Sequence, residues 1–420
     1  MALGEQVIAA VDARRNELIE RCRRLLQIPS IDRESNPPGD TTEVYRFARA
    51  DLDAPGVERW DVTVREGLPN LIATVSGAGP GPHIVLNGHF DTYPAGDRSR
   101  WTHDPFGGEV VDGRIYGRGA IDMKGGDAAL MTAFLIMAER RREWRGRVTL
   151  TLVSDEETGA RYGSEHLAAH CPEVQGDMVL SAEPSGAGLV RFGEKGASRL
   201  TITAHGLSGH SPVPSMGRNA NHLLMDFLTN LRTVAGPYTN TPVWLRDMAG
   251  TIGPSFDAMY GPGAAQYILE TTVNVGILRG GEKDSLIPYR AEAWVDIRMP
   301  FGFTHAAVME AVHGFLAKHP HIECEVRHWR DPNFTDPEHP LVRTMVESVA
   351  DVRKAPVQLS CSLGGTDCRF WRKRGTPCVV YGPTPHNIAA PDEYVDISDL
   401  VTVAKAHGLA MAKLLLNVPA

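Results

Sequence analysis

The hydrophobic and polar positions of the first half of the chain fall into two alternating kinds of stretch. Short apolar runs at 83–87, 148–154 and 178–181, with a later one at 377–381, have the length of strands buried on both faces. Between them, 125–140 has the Ala, Leu and Met content of a buried helix, and 159–170 reads as a shorter one. Strand and helix in alternation predict an α/β architecture, a mostly parallel sheet flanked by helices. Residues 1–26 form a charged amphipathic helix, with Glu5, Asp12, Arg14, Arg15, Glu17 and Glu20, and lack the unbroken apolar core of a signal peptide.

The pattern changes near Gly196. A strand at 199–205, a helix at 219–234, strands at 272–278 and 292–298, a helix at 304–318 and a strand at 322–328 follow. Two βαβ-like halves of this kind predict a small sheet covered by two helices, a ferredoxin-like α+β insert. Within it, 236–263 is rich in Gly and Pro and reads as an irregular excursion. The main pattern then resumes. The expected organisation is a discontinuous larger domain, 1–195 with 330–420, interrupted by 196–329. A length of 420 residues, beyond one ordinary core, agrees with two units.

Composition narrows the function classes. Hydrophobic residues at 42% and charged residues at 22% are ordinary for a globular protein. A formal charge of -8 argues against general nucleic-acid binding, which needs clustered positive charge. The basic group Arg140, Arg141, Arg142, Arg145 and Arg147 closes an apolar helix, where cations suit the dipole. Six scattered cysteines without a CxxC pair predict free thiols in a reducing compartment. The apolar run 128–138 is shorter than the roughly 20 residues of a membrane span. A cytoplasmic protein without a membrane segment is expected.

Candidate chemistry collects at strand ends. His89 and Asp91 follow the run 83–87, Glu156 and Glu157 follow 148–154, Glu183 follows 178–181, and His386 follows 377–381. In open parallel sheets, ligands bind beyond the carboxyl ends of strands, so these side chains are expected to converge. Asp122 ends the glycine-rich stretch Gly117-Arg118-Gly119-Ala120-Ile121-Asp122 that enters the buried helix. Acids brought together repel and raise one another's pKa, and a divalent cation relieves the conflict. Imidazole with carboxylates suits Zn²⁺ first, then Mn²⁺ or Co²⁺. His89, Asp122 and Glu183 supply three protein ligands and leave a position open, the arrangement of a catalytic metal site. Asp91, two residues along an extended segment, shares a side with His89 and can orient its imidazole. Singly each signal is weak, since a lone histidine or a glutamate pair is usually a surface feature.

Four segments carry a family resemblance: Gly88-His89-Phe90-Asp91, 117–125 with Asp122-Met123-Lys124-Gly125, Asp155-Glu156-Glu157-Thr158-Gly159 and Ala182-Glu183-Pro184. In this order they resemble the M20 metallopeptidase family, the group of acetylornithine deacetylases, succinyl-diaminopimelate desuccinylases and glutamate carboxypeptidases. The resemblance implies a catalytic domain with a dinuclear metal site and an inserted lid that mediates homodimerisation. It implies that His89 and Glu183 hold one ion and Glu157 the other, with Asp122 bridging, and that Glu156 is the general base. It also implies that His210 reaches the partner subunit's site to stabilise an oxyanion. Arg298, Gly364, Gly365 and Thr366 resemble the positions that receive a carboxylate on a small-molecule substrate.

The chain departs from the family twice. Where the last histidine ligand is expected stands Ala389, in His386-Asn387-Ile388-Ala389-Ala390-Pro391-Asp392-Glu393-Tyr394. Either His386 reaches in from a reshaped loop, or the enzyme works with one ion; the sequence leaves both open. The second departure is Ser285, where a substrate-contacting asparagine is expected. The leading expectation is a metal-dependent hydrolase of a C–N bond, the amide of an N-acyl amino acid or small peptide-like carboxylate. The alternatives are a hydrolytic deaminase releasing ammonia from an aromatic amine, and a non-catalytic binding protein that retains the fold.

Overall fold

A computed structural model describes residues 2–35, 38–237 and 241–416. They divide into two compact units, 1–192 with 334–360 and 366–420, and 193–333 with Cys361–Gly365.

The first unit is a mixed α/β structure with a parallel centre. The strands Arg147–Val153, His83–His89, Met178–Ser181 and Cys378–Val380 run parallel side by side. The hairpin Val57–Arg65 and Leu68–Ser76 adds antiparallel strands at one side. Successive residues of a strand serve different cores: Ile84 and Leu86 join one apolar cluster and Val85 the other. That is why these strands read as unbroken apolar runs. Parallel register also carries every strand's C-terminal end to one edge, with His89 opposite Val153 and Asn87 opposite Ser181.

The helix Lys124–Glu139 packs in the larger core and buries nearly its whole circumference. Its start approaches the strand ends closely: a Cβ on Gly126 would lie 2.4 Å from the carbonyl oxygen of Ala182. Only glycine permits that contact, which brings Asp122 and Glu183 into one neighbourhood. The N-terminal segment is two helices, Leu3–Ala13 and Arg15–Gln27, rather than one. Arg14 breaks the turn at φ -104 and pairs with Glu139 at 2.7 Å.

The second unit is an antiparallel sheet in the order Glu270–Gly280, Arg290–Met299, Gly196–His205, Ile322–Arg330. The helices Ala220–Leu231 and His305–Leu316 cover one face, with Leu200, Ile202, Phe227, Val295, Ile297, Val308 and Val312 between. This is the ferredoxin-like arrangement. The stretch 236–263 is not irregular, although 238–240 lie outside the described residues. Val243–Tyr260 is a helix of 18 residues. Leu245, Ala249, Ile252 and Phe256 are buried in it, a helical spacing whose burial outweighs Gly250, Gly253 and the internal Pro254. Gly261, at φ 93, ends it. Among the described residues no helix is long and apolar enough to cross a membrane.

Candidate metal centre

His89 ends the central strand and is 1% exposed. Its Nε2 lies 3.2 Å from Asp122 Oδ1 and 3.4 Å from Glu183 Oε1. One ligand atom from each of His89, Asp122 and Glu183 lies within 4.8 Å of the other two. The opposite ring nitrogen, Nδ1, lies 3.0 Å from the carbonyl oxygen of Asp91 and 3.4 Å from its Oδ1. A proton on Nδ1 satisfies those acceptors and leaves the Nε2 lone pair facing the two carboxylates. Two carboxylate oxygens and an imidazole nitrogen converging out of water form a donor set that fits a dication.

The acids carry the cost of this crowding. Burial pushes Glu183 up to about 8, and Asp122 adds to it. Burial and then Asp122 hold Glu157 well above the usual carboxylate range. Burial also raises Glu156, against the pull of Arg369. Burial disfavours a charged His89, yet Asp122, Asp91 and Glu183 overcome it and hold the imidazole well above its ordinary value. A cation among these groups reverses the sign of the problem, because each carboxylate then gains by ionising.

The supporting contacts locate most of the remaining residues. The Asp91 carboxylate accepts hydrogen bonds from the amides of Glu156 at 3.1 Å and Glu157 at 2.9 Å, so it holds the turn Glu156–Thr158. Glu157 interacts electrostatically with Asp122 and His89, and its buried Oε1 has no hydrogen-bond partner among the described residues. Asp122 is held from behind: Glu393 Oε1 accepts from the amides of Ile121 at 2.9 Å and Asp122 at 3.3 Å, and Arg118 pairs with Oε2.

The structure does not bring His386 to the trio. Its Nε2 pairs with Asp396 Oδ2 at 3.0 Å, and its ring stacks on Tyr394 at 4.6 Å. The loop between turns through positive φ at Asn387, Ala389 and Asp392, and the methyl of Ala389 offers no ligand. In the second unit, Gly209–His210 pairs with Leu286–Ile287, and the amide of Ser211 donates to the Ser285 carbonyl at 3.1 Å. His210 and Ser285 are therefore neighbours, with His210 exposed. Arg298 lies opposite Ala197 and donates to Asp296 Oδ2 at 2.9 and 3.1 Å. Gly365 packs against Arg330, whose Nη2 is 2.3 Å from where its Cβ would stand. Thr366 is buried in the first unit.

Sequence reasoning passed over Arg369, which donates to Glu156 Oε1 at 3.3 Å, and the pair Arg118–Glu393. A signal existed for the first. Arg369 is a charge set between Cys368 and the apolar Phe370-Trp371, three residues after Gly364-Gly365-Thr366.

Comparison with known proteins places this geometry among relatives. A sequence model of peptidase family M20/M25/M40 matches residues 85–413. The succinyl-diaminopimelate desuccinylase of Gluconacetobacter diazotrophicus is 30% identical over 405 residues, 94% of this chain and 96% of its own. That of a Sulfurovum strain is 28% identical over 342 residues, 80% of this chain and 84% of its own. An M20 family metallo-carboxypeptidase structure from Sulfolobus solfataricus matches at TM-score 0.80 and 21% identity, over 95% of this chain and 99% of that one. A dinuclear metal-binding M20 peptidase from Bacillus subtilis matches at TM-score 0.64 and 16% identity, over 96% of this chain and 99% of that one. At such identities the structural likeness speaks for the fold.

Proposed function

This chain belongs to peptidase family M20/M25/M40 and is a metallohydrolase, and from that premise we propose that it hydrolyses the amide bond of an N-acyl amino acid or small peptide-like carboxylate. The observation that carries the reading is the buried trio His89, Asp122 and Glu183, with ligand atoms mutually within 4.8 Å. A bound dication would polarise the scissile carbonyl and acidify a water molecule.

The rest is work for the chain's own side chains. Asp91 turns the His89 Nε2 lone pair outward and holds the turn bearing Glu156 through its amides. Glu156, beside the trio but not part of it, takes the proton from the attacking water and delivers it to the leaving nitrogen. His210 would reach the partner subunit's site as the oxyanion donor, Arg298, Gly364, Gly365 and Thr366 would receive the substrate carboxylate, and Ser285 would contact the substrate. These assignments rest on the family resemblance of their segments. The desuccinylase relatives support amide cleavage over release of ammonia from an aromatic amine.

We take one tightly held ion per subunit, Zn²⁺ before Mn²⁺ or Co²⁺. Support comes from the pairing of His386 with Asp396 and from the methyl at 389, which reduce the ligand set that the family resemblance implies for a second ion to Asp122 and Glu157. A homodimer through the second unit is supported by the strand Glu270–Gly280. It pairs with Gly236–Pro237 only at its start and leaves the rest of that edge open among the described residues, with Leu278 59% exposed. The scattered placement of the cysteines, without a CxxC pair, agrees with a cytoplasmic location.

The test is Glu156→Gln with metal analysis beside it. Metal content should stay at the wild-type level while turnover of an N-acyl amino acid falls by orders of magnitude. Near-normal turnover would refute the general-base role. Ammonia as sole nitrogen product, without a carboxylic acid, would favour deamination.

A further inference from the structure

The turn that carries Glu156 is gripped at both ends. At its start the amides of Glu156 and Glu157 donate to the Asp91 carboxylate. At its end stands Gly159, at φ 105, whose carbonyl oxygen accepts from Arg369 Nη2 at 3.3 Å. The other terminal nitrogen of Arg369, Nη1, donates to Glu156 Oε1 at 3.3 Å and to the Thr366 carbonyl at 2.7 Å. One guanidinium thus holds the carboxylate of the base and the backbone that bears it. Its own orientation is restricted as well, because it lies 4.4 Å over the ring of Phe370.

Behind the guanidinium runs a buried polar chain. Asp367 Oδ1 lies 4.0 Å from Arg369 Nη2, and Asp367 Oδ2 accepts from Ser164 Oγ at 2.6 Å. Ser164 Oγ accepts in turn from Asn87 Nδ2 at 3.1 Å. Asn87 lies two residues before His89 on the same strand. The base and the first metal ligand are therefore tied to one strand by two separate routes, through Asp91 and through Arg369, Asp367 and Ser164.

We propose that Arg369 is a positioning residue for Glu156. It occupies Oε1, so the proton is taken up at Oε2, and the chain from Asp367 to Asn87 sets where that oxygen stands relative to His89. This rests on the reading of Glu156 as general base. A glutamate carboxylate rotates freely about its last bond unless one oxygen is held. A fork with two donors fixes it in a way that the point charge of a lysine does not.

A structural ion pair and a positioning residue predict different kinetics. In Arg369→Ala, metal content and KM should match wild type, while kcat falls about 100-fold, the scale of a misplaced catalytic group. Arg369→Lys should recover part of the loss, and millimolar guanidinium added to the alanine variant should raise its turnover. A folded, metal-loaded Arg369→Ala with wild-type kcat overturns the proposal. Normal turnover in Glu156→Gln, measured alongside, overturns the underlying reading instead. If Arg369→Ala does not accumulate as folded protein, Ser164→Ala decides, since it cuts the chain and leaves the ion pair. A several-fold loss of kcat at constant KM supports the proposal, and wild-type kcat overturns it.

Discussion

His89 and His407 are both buried imidazoles, and what separates them is the set of groups facing each ring. Three carboxylates face His89 and hold it well above its ordinary value. Among the described residues, the hydrogen-bond partner of His407 is the Tyr381 carbonyl, to which its Nε2 donates at 2.7 Å, and burial lowers it to about 4. The sign of the second case is plain. A folded-state pKa below the unfolded value near 6.5 contributes stability above that pH, and the stability is lost as pH falls toward 4. His407→Gln should therefore flatten the acid limb of a plot of Tm against pH, read by calorimetry between pH 7 and 4. Glu393 is a second case in which neighbours decide the role. It ties the amides of Ile121 and Asp122 to Arg118 deep in the unit. Glu393→Gln should weaken metal affinity roughly 10- to 100-fold, as lost supporting contacts commonly do. Competition with a chromophoric chelator measures it.

At the scale of elements, close approach outweighs intrinsic preference. Alanine in place of glycine inside a helix normally stabilises by about 1 kcal/mol. At Gly126, in the helix Lys124–Glu139, the added Cβ would meet the Ala182 oxygen at 2.4 Å. Gly126→Ala should therefore destabilise, by roughly 1–3 kcal/mol for overpacking, and urea unfolding gives the sign. The helix Val243–Tyr260 teaches the converse. Its glycines and proline argued for a loop, and four buried apolar side chains at helical spacing decided otherwise. Propensity is worth about 1 kcal/mol per residue, whereas a fully buried apolar side chain contributes about 1.5–3 kcal/mol, so spacing is the stronger signal. The turn Glu156–Thr158 had no such spacing to read. Its geometry comes from Asp91 and Arg369, which are distant in the chain.

For the whole molecule, the consequence of the acid cluster is linkage between metal and stability. An ion that binds the folded chain alone stabilises it by about 2.7 kcal/mol at a free concentration 100 times its Kd. Chelation should therefore lower Tm reversibly, and restored Zn²⁺ should return it, followed by scanning calorimetry. His89→Ala should abolish this response. The open edge of Glu270–Gly280 carries a separate expectation. Light scattering on the purified chain should give twice the mass of 45.8 kDa, and a charge introduced at Leu278 should shift it toward the monomer.

The chain's own pattern determined the layers: runs apolar at every position can lie only inside, and their alternation with helices leaves a parallel sheet as the economical arrangement. It also determined which side chains stand beyond strand ends, because that follows from order along the chain. What the tertiary structure alone decided is who faces whom. That Asp122 meets His89, that His386 turns to Asp396, and that Arg369 reaches Glu156 across more than two hundred residues are matters of packing. Periodicity records burial for each residue separately, whereas a site is made of distances between residues, and those exist only once the backbone has closed on itself.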